Sequence, residues 1–276
     1  MKNSPPIRLV ALDIDGTLLT SAKQISPATL AAVQDVARRG VHVVLASARS
    51  PHALRLLMAK LGISGFAIAY TGALLCWLQP DPRTTTEILV ERRMLLPSAR
   101  AVFLAAREQG LSVGWYVGDI AYIAAWDAAL RNEFAITRQQ PIVAPDLAGT
   151  GEAPHKLTCI AGEPRLVTEL HLLANDLLED SAGQFSHTTY LEVTRRGVNK
   201  GDALATLAQH LGIDLQETAA MGDQENDISM LQAAGVGIAM GNGIPSAQAA
   251  ADWVTTTNDQ DGVAVAIERL RTAGRI

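Results

Sequence analysis

Short apolar segments alternate with amphipathic segments in the first third of the chain. Ser26-Pro27 is a typical helix start, and the apolar residues after it recur at helical spacing as far as Gly40. A second helix is predicted over residues 51–61. Strands are predicted at residues 7–12, 41–46 and 66–69, which are apolar without helical spacing. Buried strands that alternate with helices predict a parallel sheet covered on both faces.

This alternation changes between about residues 84 and 194. The pattern there predicts β-α-β-β-α followed by β-α-β, an order typical of an α+β domain. The predicted strands lie near residues 87–94, 111–117, 121–124, 156–161 and 188–193, and the predicted helices near 98–109, 127–134 and 164–178. Residues 138–154 hold three prolines and several glycines, which predicts a long irregular loop.

The alternation of helix and strand returns after Gly197. Helices are predicted at residues 200–211, 227–234, 245–250 and 262–272, and strands at 217–221, 236–240 and 253–255. We therefore predict a Rossmann-like α/β domain with a doubly wound parallel sheet, formed by residues 1–83 and 195–276. An α+β domain, residues 84–194, is inserted into it.

Composition and charge narrow the possible functions. The formal net charge is −5, which argues against a nucleic-acid binder, because duplex binding needs clustered Lys and Arg. The two cysteines lie in apolar segments, as buried thiols do. The short polar N-terminus and the lack of a long apolar segment predict a cytoplasmic protein without a membrane partner. A monomer or small homo-oligomer is expected.

Asp13 and Asp15 follow the first predicted strand, in the segment D-I-D-G-T. Open parallel sheets bind ligands at the carboxyl ends of their strands. Neighbouring carboxylates raise each other's pKa, and a hard cation such as Mg²⁺ removes that cost. Taken alone, the segment is also compatible with a solvated turn.

A second acidic cluster, residues 222–227, follows the predicted strand that ends at Met221. Acidic residues at a helix N-terminus complement the helix dipole, which explains Glu225 and Asp227. That explanation suits Asp223 poorly, because Asp223 leaves the strand directly. Asp223 could therefore complete a metal site.

Two further polar positions lie at predicted strand or helix ends. Ser47 and Arg49 follow the second strand, and Lys200 begins a helix, where its charge opposes the macrodipole. A helix-capping serine and a solvated lysine are the alternatives for each residue alone. Their combination is specific, because the edge of the predicted sheet then carries Asp13, Ser47, Lys200 and Asp223 together.

These motifs resemble the haloacid dehalogenase (HAD) superfamily, and within it the Cof-type (type IIB) sugar-phosphatase-like hydrolases with an inserted α/β cap of the C2B type. The resemblance covers essentially the whole chain. It is carried by DIDGTLL at 13–19, ASAR at 46–49, GVNKG at 197–201 and GDQEND at 222–227.

The resemblance implies a Mg²⁺-dependent phosphatase, a phosphoric monoester hydrolase acting on sugar phosphates or phosphorylated cofactors. It implies an aspartyl phosphate on Asp13, with Asp15 as general acid and base. The implied catalytic residues are Asp13, Asp15 and Lys200, and the implied substrate-binding residues are Ser47, Arg49, Lys200 and Asn226. The implied metal ligands are Asp13, Asp15 through its backbone carbonyl, and Asp223, with Asp227 in support.

Two positions depart from the family's pattern. Ala48 stands where the family usually has glycine, and Thr71 stands where it commonly has Asn before Gly72. The second change affects a residue that often meets substrate or orients its loop. The inserted domain is implied to act as a lid that reads the leaving group, with candidates Trp115, Tyr116, His187 and Tyr190.

Three other functions are compatible with parts of this pattern. A phosphomutase or other phosphotransferase would use the same aspartyl phosphate with a different acceptor. A receiver-like signalling domain shares the acids, hydroxyl and lysine, but it is much shorter and lacks an acid two residues after its phosphorylated aspartate. A non-catalytic phosphosugar sensor would need no general acid, so Asp15 argues against it.

Overall fold

The structure is a computed structural model that describes residues 5–81, 83–147, 149 and 151–276. Contacts divide the chain into two compact units. One comprises residues 1–48, 54–89 and 199–276, and the other comprises 49–53 and 90–198. The second unit is thus formed mainly by one continuous stretch inserted into the first. The predicted domain boundaries, at 84–194, stay a prediction about folding units.

The strands and helices alternate through most of the first unit. In chain order the strands are β1 Leu9–Leu12, β2 His42–Ala46, β3 Gly65–Ala69, β4 Leu74–Leu78, β5 Glu87–Glu91, β6 Ser112–Val117, β7 Ile120–Ile123, β8 Ile142–Val143, β9 Lys156–Ile160, β10 Ser181–His187, β11 Tyr190–Arg195, β12 Thr218–Gly222, β13 Val236–Ala239 and β14 Trp253–Val254. The helices are α1 Pro27–Arg38, α2 Pro51–Leu61, α3 Leu96–Glu108, α4 Ala128–Thr137, α5 Pro164–Leu172, α6 Lys200–Leu211, α7 Ile228–Ala233, α8 Pro245–Ala250 and α9 Gly262–Thr272.

The first unit is built on an eight-stranded sheet with the order β14-β13-β12-β1-β2-β3-β4-β5. The pairs from β14 to β3 are parallel, and β4 runs antiparallel to β3. Every residue of β1, β3, β12 and β13 is buried, so both faces of the sheet are covered. The predicted α/β class and the doubly wound parallel core are confirmed.

The register of the central strands fixes where the polar residues leave the sheet. Leu12, the last residue of β1, pairs with Met221 of β12 on one side and with Leu45 of β2 on the other. Because parallel strands end at the same edge, Asp13, Asp223 and Ser47 all follow strand ends at this one edge.

The second unit contains a six-stranded sheet with the order β10-β11-β9-β6-β7-β8. Its pairs are antiparallel except for β7 with β8. One face packs its apolar residues into a core with α3 and α5, including Trp115, Leu157 and Cys159. This is the α+β insertion that the sequence predicts.

Three strands differ from the sequence-based prediction. β5, predicted for the inserted domain, is instead the edge strand of the eight-stranded sheet. β4 and β10 were not predicted, and the predicted loop at 138–154 contains the short strand β8. Helix α5 ends at Leu172, and its predicted last turns form a π-helical segment, Leu173–Leu177.

Candidate active site

Asp13 lies one residue beyond β1 and is held by backbone hydrogen bonds on both sides. Its N–H donates to the carbonyl of Met221 at 3.0 Å, and its own carbonyl accepts from the N–H of Leu18 at 3.2 Å. The side chain is 9% exposed. Asp13 is therefore a buried carboxylate with a fixed backbone at the edge of the sheet.

Lys200 is fully buried and lies between two aspartates. Its Nζ is 2.6 Å from Asp13 Oδ1 and 2.6 Å from Asp227 Oδ1. Burial alone would lower the pKa of Lys200, but the charges and hydrogen bonds of the two aspartates outweigh burial and raise that pKa. The ammonium group therefore stays charged, despite standing in the first turn of α6.

Asp227 is fully buried and organises the turn that follows β12. Its Oδ2 accepts hydrogen bonds from the backbone N–H groups of Asp223 and Gln224, both at 2.9 Å. Because Oδ1 binds Lys200, both oxygens of Asp227 already have donors. This carboxylate links the lysine to the turn that carries Asp223.

Asp223 is 2% exposed and also has a donor on each oxygen. Thr17 Oγ1 donates to Oδ1 at 3.0 Å, and Gln224 Nε2 donates to Oδ2 at 2.9 Å. Burial raises its pKa, although the hydrogen bonds from Gln224 and Thr17 oppose that rise. Burial followed by the charge of Asp227 raises the pKa of Asp13 well above its usual value. The cluster holds more negative charge than Lys200 balances.

The same cluster fits a hard cation. One carboxylate oxygen from each of Asp13, Asp223 and Asp227 can be chosen so that all three lie within 4.8 Å of one another. Buried oxygen ligands without sulfur or imidazole suit Mg²⁺ or a similar ion. Since Asp227 is saturated by N–H donors, Asp13 and Asp223 are the better ligands.

Gly16 explains how the two acidic segments approach so closely. Its φ is +88°, and a Cβ built there would lie 2.3 Å from Asp223 Oδ2. Any larger residue would thus displace the carboxylate of Asp223, besides straining the turn.

The carboxylate of Asp15 lies outside this cluster among the described residues. Asp15 Oδ1 forms an ion pair with Lys23 Nζ at 2.8 Å, and the two side chains are 40% and 62% exposed. The expectation that its backbone carbonyl binds metal stays a prediction. Asp15 is therefore the more solvated of the two acids on the Asp13–Thr17 turn.

The other predicted substrate-binding residues occupy different positions. Ser47 is 4% exposed at the end of β2, and its N–H donates to the carbonyl of Ile68 at 2.8 Å. Arg49 is half-buried and belongs to the second unit by its contacts. Asn226 is half-buried in a 3₁₀ turn, Glu225–Asp227.

Of the residues predicted to read the leaving group, Trp115 is a core residue of the second unit. It is fully buried, and its indole N–H donates to the carbonyl of Glu152 at 3.1 Å. Tyr116 is also buried, with Lys156 Nζ 5.1 Å from its ring centroid. Tyr190 is half-buried, and the side chain of His187 lies outside the described part of the chain.

Some groups around the cluster were missed by sequence reasoning. Thr17, which holds Asp223, stands inside a motif that was recognised and could have been found there. Asn242 donates to the carbonyl of Gly16 at 2.8 Å, and Asn258 donates to that of Leu19 at 2.8 Å. These two asparagines come from distant loops, and no local pattern marks them.

The fold and the cluster together define a class: an α/β hydrolase core with buried acids and a lysine at its strand ends, interrupted by an α+β unit. Comparison with known families then identifies the chain as a member of the haloacid dehalogenase-like hydrolases, which it matches over residues 10–267. The resemblance drawn from its motifs is confirmed. Within that family the chain is a phosphatase, a phosphoric monoester hydrolase.

Individual relatives match along nearly their whole length. A putative phosphatase of Haemophilus influenzae is 30% identical over 264 residues, which cover 95% of this chain and 97% of the relative. The 5-amino-6-(5-phospho-D-ribitylamino)uracil phosphatase YcsE of Bacillus subtilis is 29% identical over 268 residues, covering 95% and 94%. A haloacid dehalogenase-like hydrolase from Bacteroides thetaiotaomicron superposes with a TM-score of 0.86 at 28% identity, covering 96% of this chain and 99% of its own.

Within the described residues, every helix is too short or too polar to cross a membrane. The cytoplasmic location stays a prediction.

Proposed function

We propose that the chain is a Mg²⁺-dependent phosphatase that hydrolyses small phosphorylated metabolites through an aspartyl phosphate on Asp13. The observation that carries the proposal is the buried bridge from Asp13 through Lys200 to Asp227, with Asp223 beside it. A lysine held by two carboxylates and a surplus of negative charge suits a site for a cation and a phosphate monoester.

Asp13 would be the nucleophile. Its free carboxylate oxygen forms a bond to phosphorus, and the bond between phosphorus and the ester oxygen breaks. Asp15 would donate a proton to the departing alcohol oxygen. Water then attacks the phosphorus of the acyl phosphate, Asp15 takes the water's proton, and the carboxylate of Asp13 is released with inorganic phosphate. The exposure of Asp15 is compatible with exchange of this proton with solvent.

Mg²⁺ would be held by Asp13, Asp223 and the backbone carbonyl of Asp15. When bound, it would neutralise phosphate charge, so that a carboxylate and a phosphate dianion can approach. The raised pKa values of Asp13 and Asp223 support this choice, because a cation would favour their ionised forms.

The remaining side chains would hold the phosphoryl group. Lys200 and Ser47 would donate to its oxygens, and Asp227 would keep Lys200 in place. Asn226 would contact phosphate, and Arg49 would contact the substrate. These roles follow the family resemblance, and the position of Ser47 and Lys200 at one sheet edge supports the first of them.

The substrate would be a sugar phosphate or a phosphorylated cofactor. In support, the relative YcsE is by its name a phosphatase of a phosphorylated ribitylamino uracil. The inserted domain, residues 84–194 in the sequence-based division, is proposed to select the leaving group. A panel of phosphorylated metabolites assayed with Mg²⁺ would identify the substrate.

The first test replaces the nucleophile. We expect Mg²⁺-dependent phosphate release from an aryl phosphate, and its loss in Asp13→Asn, because an amide is not a nucleophile toward phosphorus. Asp35→Asn, at an ion pair with Arg39 on α1, is the matched control and should keep full activity. Tight sugar-phosphate binding without turnover in the wild type would instead favour a sensor. Transfer to an added sugar in preference to water would favour a phosphotransferase.

The second test concerns Asp15. With an aryl leaving group, which needs no protonation to depart, Asp15→Asn should form the aspartyl phosphate but hydrolyse it slowly. Intact-protein mass spectrometry after rapid mixing should then detect one added phosphoryl group. Finding no adduct while hydrolysis remains slow would contradict this role.

A further inference from the structure

The loop between β3 and β4 contains three successive residues in left-handed backbone conformation. The φ angles are +51° at Tyr70, +58° at Thr71 and +110° at Gly72. Such angles are routine for glycine but unfavourable for a bulky or β-branched side chain. Backbone strain of this kind persists only where surrounding contacts impose it, and it concentrates at functional sites.

The loop is held firmly at both ends. Ala69 and Leu74 pair across β3 and β4, and the N–H of Ala73 donates to the carbonyl of Tyr70 at 3.1 Å. The side chain of Tyr70 is fully buried. The left-handed turn is therefore part of a rigid hairpin at the carboxyl end of β3, the edge at which Asp13 and Asp223 lie.

Two groups of the candidate active site rest on this turn. The N–H of Thr71 donates to the carbonyl of Ser47 at 2.9 Å. Gly72 lies against the carbonyl of Asn199, since a Cβ built on Gly72 would be 2.3 Å from that oxygen. Asn199 directly precedes Lys200 and caps α6, its side chain accepting from the N–H of Asp202 at 2.8 Å.

We propose that the left-handed turn at residues 70–72 is a positioning element that sets Ser47 and Lys200 at the separation a phosphoryl group requires, with Thr71 as its positioning residue. The turn holds one group by a hydrogen bond and the other by close packing. The inference rests on the proposed function in one respect, namely that Ser47 and Lys200 both bind phosphate. Small misplacement of such groups weakens binding and catalysis strongly.

The turn depends on backbone conformation, which determines the choice of variants. Asn adopts left-handed angles more readily than Thr, so Thr71→Asn keeps the turn with less strain. Gly also permits these angles but permits many others, so Thr71→Gly loosens the turn without creating a clash. The two variants separate the requirement for a fixed turn from the identity of the Thr side chain.

We expect Thr71→Gly to raise KM for an aryl phosphate and the dissociation constant of inorganic phosphate by about tenfold each, with a smaller effect on kcat, because interactions common to ground and transition states are lost. Thr71→Asn should retain wild-type values within about threefold and melt at the wild-type temperature or above it. Phosphate binding is measured by calorimetry with Mg²⁺ present. Equal phosphate affinity in wild type and Thr71→Gly would overturn the proposal.

Gly72→Ala tests the other contact, with Gly40→Ala as its matched control. Both glycines have positive φ, but a Cβ at Gly40 meets no other heavy atom within 4 Å. Both variants should lose about 2–4 °C in Tm from strain alone. Only Gly72→Ala should also weaken phosphate binding, because its Cβ displaces Asn199 and with it Lys200. If Gly72→Ala folds and binds phosphate as Gly40→Ala does, the proposed packing role is wrong.

These outcomes are separable from failure of the proposed function. A wild-type protein that binds phosphate with Mg²⁺ but turns over no ester would contradict the phosphatase chemistry, and the phosphate affinities would still decide the role of the turn. A wild-type protein that hydrolyses esters, with Thr71→Gly unchanged in KM and phosphate affinity, would overturn only the positioning role.

Discussion

Lys200 is the residue whose burial depends most directly on its neighbours. A fully buried ammonium group loses its hydration, and this loss is offset here by short contacts to Asp13 and Asp227. The lysine thus serves stability and chemistry with the same pair of hydrogen bonds. Removing either partner should therefore affect both.

We predict that Asp227→Asn lowers the free energy of unfolding by roughly 2–3 kcal/mol, because Lys200 loses one of its two charged acceptors. The amide could keep only one of the acceptor roles that the two oxygens of Asp227 fill. Urea denaturation in the absence of Mg²⁺ measures the loss.

The control is Asp35→Asn, whose surface pair with Arg39 should contribute little. An Asp227→Asn variant as stable as this control would show that Asp13 alone is sufficient to compensate the buried lysine.

Single positions also show the limits of sequence analysis. Asp13 and Asp223 could be predicted, because each follows an apolar strand and parallel strands end at one edge. Lys200 and Ser47 were predicted on the same ground. The ion pair of Asp15 with Lys23, the saturation of Asp227 and the strained conformation of Thr71 could not be predicted, because each depends on the exact path of a loop.

At the scale of elements, α6 owes its position at the site to its N-terminus. Asn199 accepts from the N–H of Asp202, and its own amide donates to the Asp202 carboxylate at 2.9 Å. An N-cap of this kind is worth about 1 kcal/mol. Because Lys200 is the first helical residue, loosening the cap should loosen the lysine.

We predict that Asn199→Ala costs about 1 kcal/mol of stability and also reduces phosphate release. Asp127→Ala is the matched control, since Asp127 caps α4 of the second unit by accepting from the N–H of Leu130 at 2.8 Å. It should lose a similar stability but keep its activity. Equal activities in the two variants would contradict the link between the α6 cap and Lys200.

His155 gives the second unit a pH-dependent stability. It is fully buried, its Nδ1 accepts from the N–H of Gly118 at 3.1 Å, and its Nε2 lies 3.2 Å from Glu91 Oε2. The neutral ring therefore carries its proton on Nε2. Burial, with the charge of Arg93, lowers the pKa of His155 to about 4, although Glu91 opposes the change.

Because the folded pKa of His155 lies below the unfolded value, the unfolded chain binds more protons between the two values. Stability contributed by the neutral ring is complete above about pH 6.5 and is lost progressively toward pH 4, by up to about 3 kcal/mol. Urea denaturation at about pH 7 and about pH 5 measures this loss. His155→Gln should flatten the profile, whereas His210→Gln, at an exposed position of α6, should leave it unchanged.

The predicted elements agree best where local pattern suffices. α2, α6, α8 and α9 were predicted at their observed bounds, because caps and helical spacing mark them. β10 was missed because its segment SAGQFSH lacks an apolar run. The pairing of β5 with the larger sheet is a tertiary contact that no local pattern encodes.

At the scale of the whole molecule, the charge of −5 does not assist an anionic substrate. Attraction must come from Lys200, a bound cation and the cationic side chains near the sheet edge. The buried acids would therefore remain in a costly arrangement until a cation binds.

We predict that Mg²⁺ raises Tm and that a chelator reverses both this rise and the activity. At a concentration a hundredfold above the dissociation constant, binding to the folded state alone stabilises by about 2.7 kcal/mol. Asp223→Asn should abolish most of the Mg²⁺-dependent rise, whereas Asp259→Asn, whose carboxylate accepts from Ser21, should retain it. An identical rise in both variants would place the cation elsewhere.

The order of the central strands has a consequence for biosynthesis. β1 lies between β2 and β12, and its pairing with β12 joins residues such as Leu9 and Thr218. A nascent chain that ends before β12 has no partner for one side of β1, while the continuous stretch 90–198 has already emerged. The inserted unit can thus mature on the ribosome before the site that it interrupts, and catalytic competence must await almost the last third of translation.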